Sequence, residues 1–186
     1  MTPVRGLVLA ITFGMLGATS VAAQMPDLPK AGPEHAILAK DAGTWDAVVE
    51  VMPVGGAPAT TSKGVEIGTV GCGGLCLATD FTSELMPGVP FSGRGVTTWD
   101  KTKKKYVGSW TDSMSSALQL SEGTYDPASK TVTALMQNTD PATGTVIRIR
   151  SVTNYPDDDH RVMTMFVTGP DGKEMQTMKI SYTRRK

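Results

Sequence analysis

Apolar and polar residues alternate along most of the chain from residue 44 onward. Segment 45–51 (WDAVVEV) carries apolar residues at every second position, and segments 147–150 (IRIR) and 178–182 (MKISY) repeat the pattern. Side chains of a β-strand point alternately to two faces, so this period predicts strands with one buried and one solvated face. Applied to segment 65–67 (VEI), the same rule turns Val65 and Ile67 inward and Glu66 toward water.

Ten such segments follow one another, beginning near residues 44, 61, 75, 91, 105, 117, 130, 144, 160 and 173. Turn sequences such as 140–144 (DPATG) and 169–172 (GPDG) separate them. About 14 residues per strand and turn are typical of a meander of hairpins. A sheet this large tends to close rather than leave two open edges. The pattern therefore predicts an all-β, up-and-down antiparallel β-barrel, with a two-sheet β-sandwich as the alternative.

A short helix precedes the strands in this prediction. Pro33 suits the first helical position, Ile37 and Leu38 share one side, and Gly43 ends the helix. The predicted helix runs from Pro33 to about Lys40. Residues 24–32 read as a flexible lead-in, and residues 33–186 as a single barrel domain.

Residues 1–23 have the pattern of a secretory signal peptide. Arg5 supplies the positive charge, residues 7–16 are apolar-rich, and residues 21–23 (VAA) form a small-residue cleavage site. An apolar run of roughly ten residues is too short to cross a hydrocarbon core of ~30 Å. We therefore expect cleavage after Ala23 and a periplasmic or secreted domain with no membrane span.

Charge narrows the range of partners. The chain holds 18 Lys and Arg against 18 Asp and Glu, so its formal net charge is zero. Proteins that bind nucleic acids normally carry a basic excess that neutralises phosphates. The composition therefore argues against a nucleic-acid partner.

Several short motifs match those of one bacterial family. They are 32–35 (GPEH), 43–46 (GTWD), 104–106 (KKY), 110–115 (WTDSMS), 121–126 (SEGTYD), 157–160 (DDDH) and 169–174 (GPDGKE). On these motifs the chain resembles the domain-of-unknown-function family DUF1579 over nearly all of residues 32–184. The resemblance implies a compact β-barrel-like domain without an established activity. The chain departs from the expected pattern at 71–76 (GCGGLC), where Gly-Gly followed by an aromatic residue would be expected.

The segment 43–45 (GTW) after a short helix is also similar to the first-strand motif of lipocalin-like barrels. That resemblance implies that Trp45 closes one end of the barrel beneath a basic residue of the last strand. Arg184 or Arg185 would stack on the indole by a cation–π contact. A ten-strand count is also that of fatty-acid-binding and nitrobindin-like barrels.

Cys72 and Cys76 enclose three residues. On a straight strand their Cα atoms would lie ~13 Å apart, too far for a disulfide. If residues 73–75 form a hairpin loop, the cysteines face each other and can bridge, and export favours that outcome. A disulfide is the leading interpretation, and free thiols or a metal or redox role are the alternatives.

The nitrobindin-like resemblance implies a haem-binding alternative, in which one of the two histidines, His35 or His160, would be the axial ligand. Both occupy positions typical of solvated residues, one in the first helical turn and one after three aspartates at a strand start. The sequence contains no nucleophile-elbow, zinc-protease or P-loop motif. We therefore expect no metal, no cofactor and no catalytic residue, and favour a non-enzymatic protein.

Nine residues are predicted to line a ligand site inside the barrel, because they fall on the apolar faces of different strands: Trp45, Val49, Phe81, Tyr106, Trp110, Asp112, Ile149, Met165 and Tyr182. Asp112 is either a polar group of the pocket or a structural hydrogen-bond acceptor at a strand end. Barrels of this size can hold one small ligand. The sequence thus predicts binding of a small apolar or amphipathic molecule, with a haem- or substrate-using enzyme and a solid-core interaction protein as alternatives.

Overall fold

The computed structural model describes residues 27–53, 58–86, 88–139, 143–169 and 171–186. The strands are β1 (Gly43–Val51), β2 (Thr60–Gly71), β3 (Cys76–Met86), β4 (Val89–Asp100), β5 (Lys105–Asp112), β6 (Ser115–Asp126), β7 (Thr131–Thr139), β8 (Val146–Asn154), β9 (His160–Thr168) and β10 (Glu174–Arg184). Each begins within two residues of its predicted start. The predicted signal peptide and its cleavage site lie outside the described residues.

The strands form a closed antiparallel barrel. Each strand pairs with the next along the chain, and β1 pairs with β10, so the sheet has no edge. In the closing pair Trp45 lies opposite Arg184 and Val49 lies opposite Ile180. The predicted up-and-down barrel is therefore confirmed, and the sandwich alternative is wrong.

One helix, α1 (His35–Lys40), precedes β1 and covers one end of the barrel, where it packs against β3 and β4. It begins two residues later than predicted, because Pro33 belongs to a preceding turn and its carbonyl accepts the Ala36 N–H at 3.1 Å. It ends at Lys40, as predicted, and Gly43 is the first residue of β1. The predicted apolar side is correct, because Ile37 and Leu38 are both buried.

We call the end covered by α1 the capped end and the other the mouth. The turns β2–β3, β4–β5, β6–β7 and β8–β9 also belong to the capped end, and the turn β5–β6 belongs to the mouth. Two buried clusters fill the fold: one between α1 and the barrel around Ile37, Leu38 and Tyr106, the other inside the barrel around Trp45 and Tyr182. Among the described residues, no helix is long and apolar enough to cross a membrane.

The prediction for residues 65–67 is wrong. Glu66 is 7% exposed and faces the interior, whereas Ile67 on the outer face is 49% exposed. The register explains the reversal, because Glu66 lies opposite Trp45 on β1 and Phe81 on β3, which are both inward. The neighbouring inward positions on either side, Gly64 and Gly68, are glycines, and the Phe81 ring takes the place of a side chain at Gly64.

Candidate functional site

The interior of the barrel has two zones that differ in packing. Five of the nine predicted lining residues are buried around the middle and capped end: Trp45, Val49, Phe81, Tyr106 and Tyr182. The other four face inward nearer the mouth and are only half-buried: Trp110, Asp112, Ile149 and Met165. Inward residues of a solidly packed barrel would all be buried, so the interior is filled toward α1 and accessible to solvent at the mouth.

Aromatic rings form the boundary between the zones. Phe81 packs edge-to-face against Phe91 and Tyr182, with ring centroids 6.1 and 6.5 Å apart. Such edge-to-face contacts are favourable beyond the burial of area alone. We call the inward, half-buried region between these rings and the mouth the upper lumen.

Trp110 forms one wall of the upper lumen. Its indole lies against β4, where Gly93 and Gly95 leave room for the ring. The indole Nε1 donates to Asp112 Oδ2 at 3.0 Å, and Asp112 Oδ1 accepts the Met114 backbone N–H at 2.9 Å. Asp112 therefore serves as a structural hydrogen-bond acceptor at the strand end and also places a carboxylate beside the lumen.

Strands β7 to β9 supply an apolar wall. The register puts Met136 opposite Ile149, Ile149 opposite Val167, and Met165 opposite Ser151, and directly opposed residues point to the same face. All of them except Ser151 are half-buried. Unbranched thioethers adapt to ligands of irregular shape, so this wall suits an apolar molecule.

Trp45 closes the interior at the capped end between two arginines. The guanidinium carbon of Arg184 lies 4.1 Å from the centroid of the indole, and that of Arg161 lies 4.5 Å from it. Arg184 also donates to the carbonyls of Lys40 and Ala42, each at 2.7 Å, and so fastens the end of α1 to β10. Arg185 instead pairs with Asp46 on the outside.

A buried ionic cluster, consisting of Asp41, Glu66 and Arg161, lies beside Trp45. Arg161 Nη1 lies 2.6 Å from Asp41 Oδ1, and its Nη2 donates to Glu66 Oε1. Tyr155 donates its hydroxyl proton to Asp41 Oδ2 at 2.9 Å, and the guanidinium of Arg161 stacks 4.2 Å from the Tyr182 ring centroid. The sequence analysis missed this cluster.

Burial governs the protonation of these groups. It raises the pKa of Glu66, against the opposing effect of the Arg161 guanidinium. Burial by itself would lower the pKa of Arg161, but the carboxylates of Asp41 and Glu66 raise it above its ordinary value. Burial also raises the pKa of Tyr155 and of Tyr182, so both phenols stay protonated. The charges of the cluster are enclosed and pair with one another. They link β2 and β9 to Asp41, which directly follows α1.

The histidines do not reach the lumen. His160 lies on the outer face with its Nδ1 2.9 Å from Asp157 Oδ1, and its side chain is 53% exposed. His35 Nδ1 accepts the Gly32 backbone N–H at 3.0 Å on the outside of α1. The haem alternative therefore lacks an inward histidine, and the described residues hold no group of three His, Cys, Asp or Glu that could bind a metal ion.

The cysteines form a disulfide, as predicted. Cys72 and Cys76 have Cα atoms 5.5 Å apart and close the β2–β3 turn at the capped end. Gly73 and Gly74 take positive φ angles of 65° and 92°, which glycine adopts without strain. The turn is compact, as the disulfide requires, but it is one residue longer than the predicted loop: Cys72 belongs to it, and Gly71 lies opposite Cys76.

Fold and site together define a closed, ten-stranded antiparallel barrel that is packed at one end under a short helix and accessible at the other. The chain belongs to the family described as "Protein of unknown function (DUF1579)", whose model matches residues 30–184. No curated protein matches it in sequence.

Several solved structures share the fold. The S-type phycobiliprotein lyase CPES from Guillardia theta is 12% identical, with a TM-score of 0.56 over 82% of this chain and 93% of that protein. Rv2717c from M. tuberculosis is 11% identical, with a TM-score of 0.62 over 84% of this chain and all of that protein. At these identities the likeness is one of fold alone.

Proposed function

We propose that this protein is a small-ligand-binding barrel that takes an apolar or amphipathic molecule into the upper lumen. One observation carries the proposal: the inward apolar side chains of Trp110, Ile149 and Met165 remain only half-buried in a closed barrel. Concave apolar surface that folding leaves open to solvent is the usual form of a ligand site. A solid-core interaction protein would bury these side chains.

The chemistry of the walls supports an amphipathic ligand. The Met and Ile side chains of β7 to β9 offer adaptable apolar contact, and the indole of Trp110 offers a flat aromatic face. Asp112 supplies a carboxylate beside the indole, near the mouth. A molecule with an apolar body and a polar group would place its body on the wall and its polar group toward Asp112 and solvent.

Two further parts of the proposal concern catalysis and compartment. The ionisable groups in the packed part of the interior form ion pairs and hydrogen bonds with one another and are enclosed by the fold. This arrangement favours binding without catalysis. The Cys72–Cys76 disulfide supports an oxidising compartment, because such bonds are rare where thiols are kept reduced. Together with the leader pattern of residues 1–23, it favours a periplasmic or secreted protein.

Fluorescence titration with N-phenyl-1-naphthylamine, a neutral apolar dye, tests the lumen site. Ile149→Gln places an amide on the apolar wall and should weaken dye binding about tenfold, because a buried amide loses water without gaining a partner. Val146→Gln on the same strand is the matched control, since Val146 is 52% exposed on the outer face. Equal affinities for the two variants, or a wild type that binds no dye, would rule out the upper lumen as a site.

A further inference from the structure

A second concavity lies at the capped end, between α1 and the inward faces of strands β4, β5 and β6. We call it the α1 groove; its lining includes Ile37, Lys40, Trp99, Lys104, Tyr106 and Tyr125. It has a volume of about 490 Å³, within the range of roughly 300–1,000 Å³ that is typical of small-molecule sites. The groove lies at the opposite end of the barrel from the mouth and shares no lining residue with the upper lumen.

The floor of the α1 groove is aromatic. The rings of Trp99 and Tyr106 lie 4.9 Å apart between centroids at an angle of 60°. Tyr106 is buried and fixed by its hydroxyl, which donates to the Glu34 carbonyl at 2.8 Å. Trp99 and Tyr125 are only half-buried, so their ring surfaces are open to a planar ligand.

Positive charge is concentrated on one rim. The β4–β5 turn, residues 100–105 (DKTKKK), contains four lysines and one aspartate. Lys103 and Lys105 both engage Glu122, at 2.6 and 2.8 Å, whereas Lys104 lines the groove and makes no ion pair with any described residue. On the opposite rim Lys40 is paired with Asp158 and Glu34 adds one carboxylate. The charge available to a ligand is therefore positive on the side of the turn.

Lys104 has a left-handed backbone, with φ of 52°, a conformation that glycine adopts at lower cost. Lys130, in the next turn at the same end of the barrel, has the same φ of 52° and does not line the groove. The two positions form a natural pair for comparison, because replacement by glycine relieves the same backbone conformation in both.

We propose that the α1 groove binds a flat aromatic anion, such as an aromatic carboxylate or sulfonate. Its ring would lie on Trp99 and Tyr125, and its anionic group would meet the ammonium of Lys104. This site is separate from the upper lumen and does not depend on the function proposed above.

The three tryptophans provide the test, because Trp99 is in the groove, Trp110 is in the upper lumen and Trp45 is buried. The protein labelled with 5-fluorotryptophan is titrated with 1-anilinonaphthalene-8-sulfonate and followed by ¹⁹F NMR, with Trp99→Phe and Trp110→Phe assigning the signals. The sulfonate should shift the Trp99 signal. Lys104→Gly should weaken its binding about fivefold, as expected for one partly exposed charge contact, whereas Lys130→Gly should leave it unchanged.

Several outcomes would overturn the groove site. These are equal sulfonate affinity in Lys104→Gly and the wild type, an equal loss in Lys104→Gly and Lys130→Gly, or a sulfonate that shifts only the Trp110 signal. The neutral N-phenyl-1-naphthylamine separates the two proposals. If it fails to shift the Trp110 signal, the lumen proposal fails and the groove is unaffected.

Discussion

The place of the Trp110 indole depends on the absence of a side chain at Gly93. A Cβ added there would lie 2.1 Å from Trp110 Cζ2 and 2.8 Å from Cη2. Ordinary carbon contacts are about 3.5–4.0 Å, so in Gly93→Ala the ring has to move by about 1.5 Å. We therefore expect the substitution to destabilise the barrel and to reshape the upper lumen.

The size of the effect follows from two opposing contributions. Overpacking a fitted site costs about 1–3 kcal/mol. Replacing glycine by alanine restricts the unfolded chain and returns about 0.4–1 kcal/mol. The free energy of unfolding should thus fall by about 1–2 kcal/mol, which lowers Tm by roughly 2–8 °C in a domain of this size.

Thermal denaturation followed by circular dichroism measures the effect within a double-mutant cycle. Trp110→Leu removes the ring atoms that the new methyl group meets, so in that background Gly93→Ala should cost nothing. Ser92→Ala, on the adjacent exposed position, is the control for substitution on β4. The same loss in both backgrounds would place the cost in the backbone and refute the role assigned to the glycine.

Three further predictions concern the buried ionic cluster and the disulfide. Arg161→Met leaves Asp41 and Glu66 buried without their cation, and urea denaturation should show a loss of about 3–5 kcal/mol; a loss below about 1 kcal/mol would contradict the cluster. Burial raises the pKa of Glu66 above its ordinary value of 4.5. Protonation of Glu66 therefore stabilises the folded state below about pH 4.5, and this stabilisation is lost as the pH rises through the raised pKa. The wild type should therefore lose stability relative to Glu66→Gln as the pH rises above about 4.5, and parallel stability curves would refute this. Replacing Cys72 and Cys76 by serine opens a very short loop and should cost about 2 kcal/mol in the same assay, whereas no change would mean that the turn holds its shape without the bond.

The barrel was predictable because alternation and turn chemistry are local properties. Segments such as 45–51 and 178–182 carry their buried face in the sequence, and the charged turn 100–105 marks a hairpin without further information. The disulfide could be predicted for the same reason, since its feasibility depends only on the turn between the cysteines.

The interior charges were not predictable from hydrophobicity. Segment 65–67 was assigned to the wrong face because the inward residues next to Glu66 are glycines. The apolar residues of this segment, Val65 and Ile67, lie on the outer face. Arg161 alternates in step with Met163 and Met165, a pattern that places a charge inside. Its partners Asp41 and Glu66 are 120 and 95 positions away along the chain, so only the folded barrel brings them together.

The assembly of the α1 groove also depends on distant segments. Tyr106 reaches the Glu34 carbonyl across 72 positions, and the groove exists only where α1 lies over the hairpins of the capped end. The aromatic residues were visible in the sequence, but their shared surface was not.

The pairing of β1 with β10 has a consequence for how the protein is made. The first strand ends at Val51 and its partner does not begin until Glu174, so the ring closes only across the longest separation in the chain. During synthesis, nine strands are complete before the last strand of eleven residues is added, and until then the sheet has two unpaired edges. Closure over such a long sequence separation is slow. A chain that loses its final strand therefore keeps most of its residues yet exposes two unpaired strand edges, so truncation of the C-terminal segment should turn a closed barrel into an open sheet that aggregates.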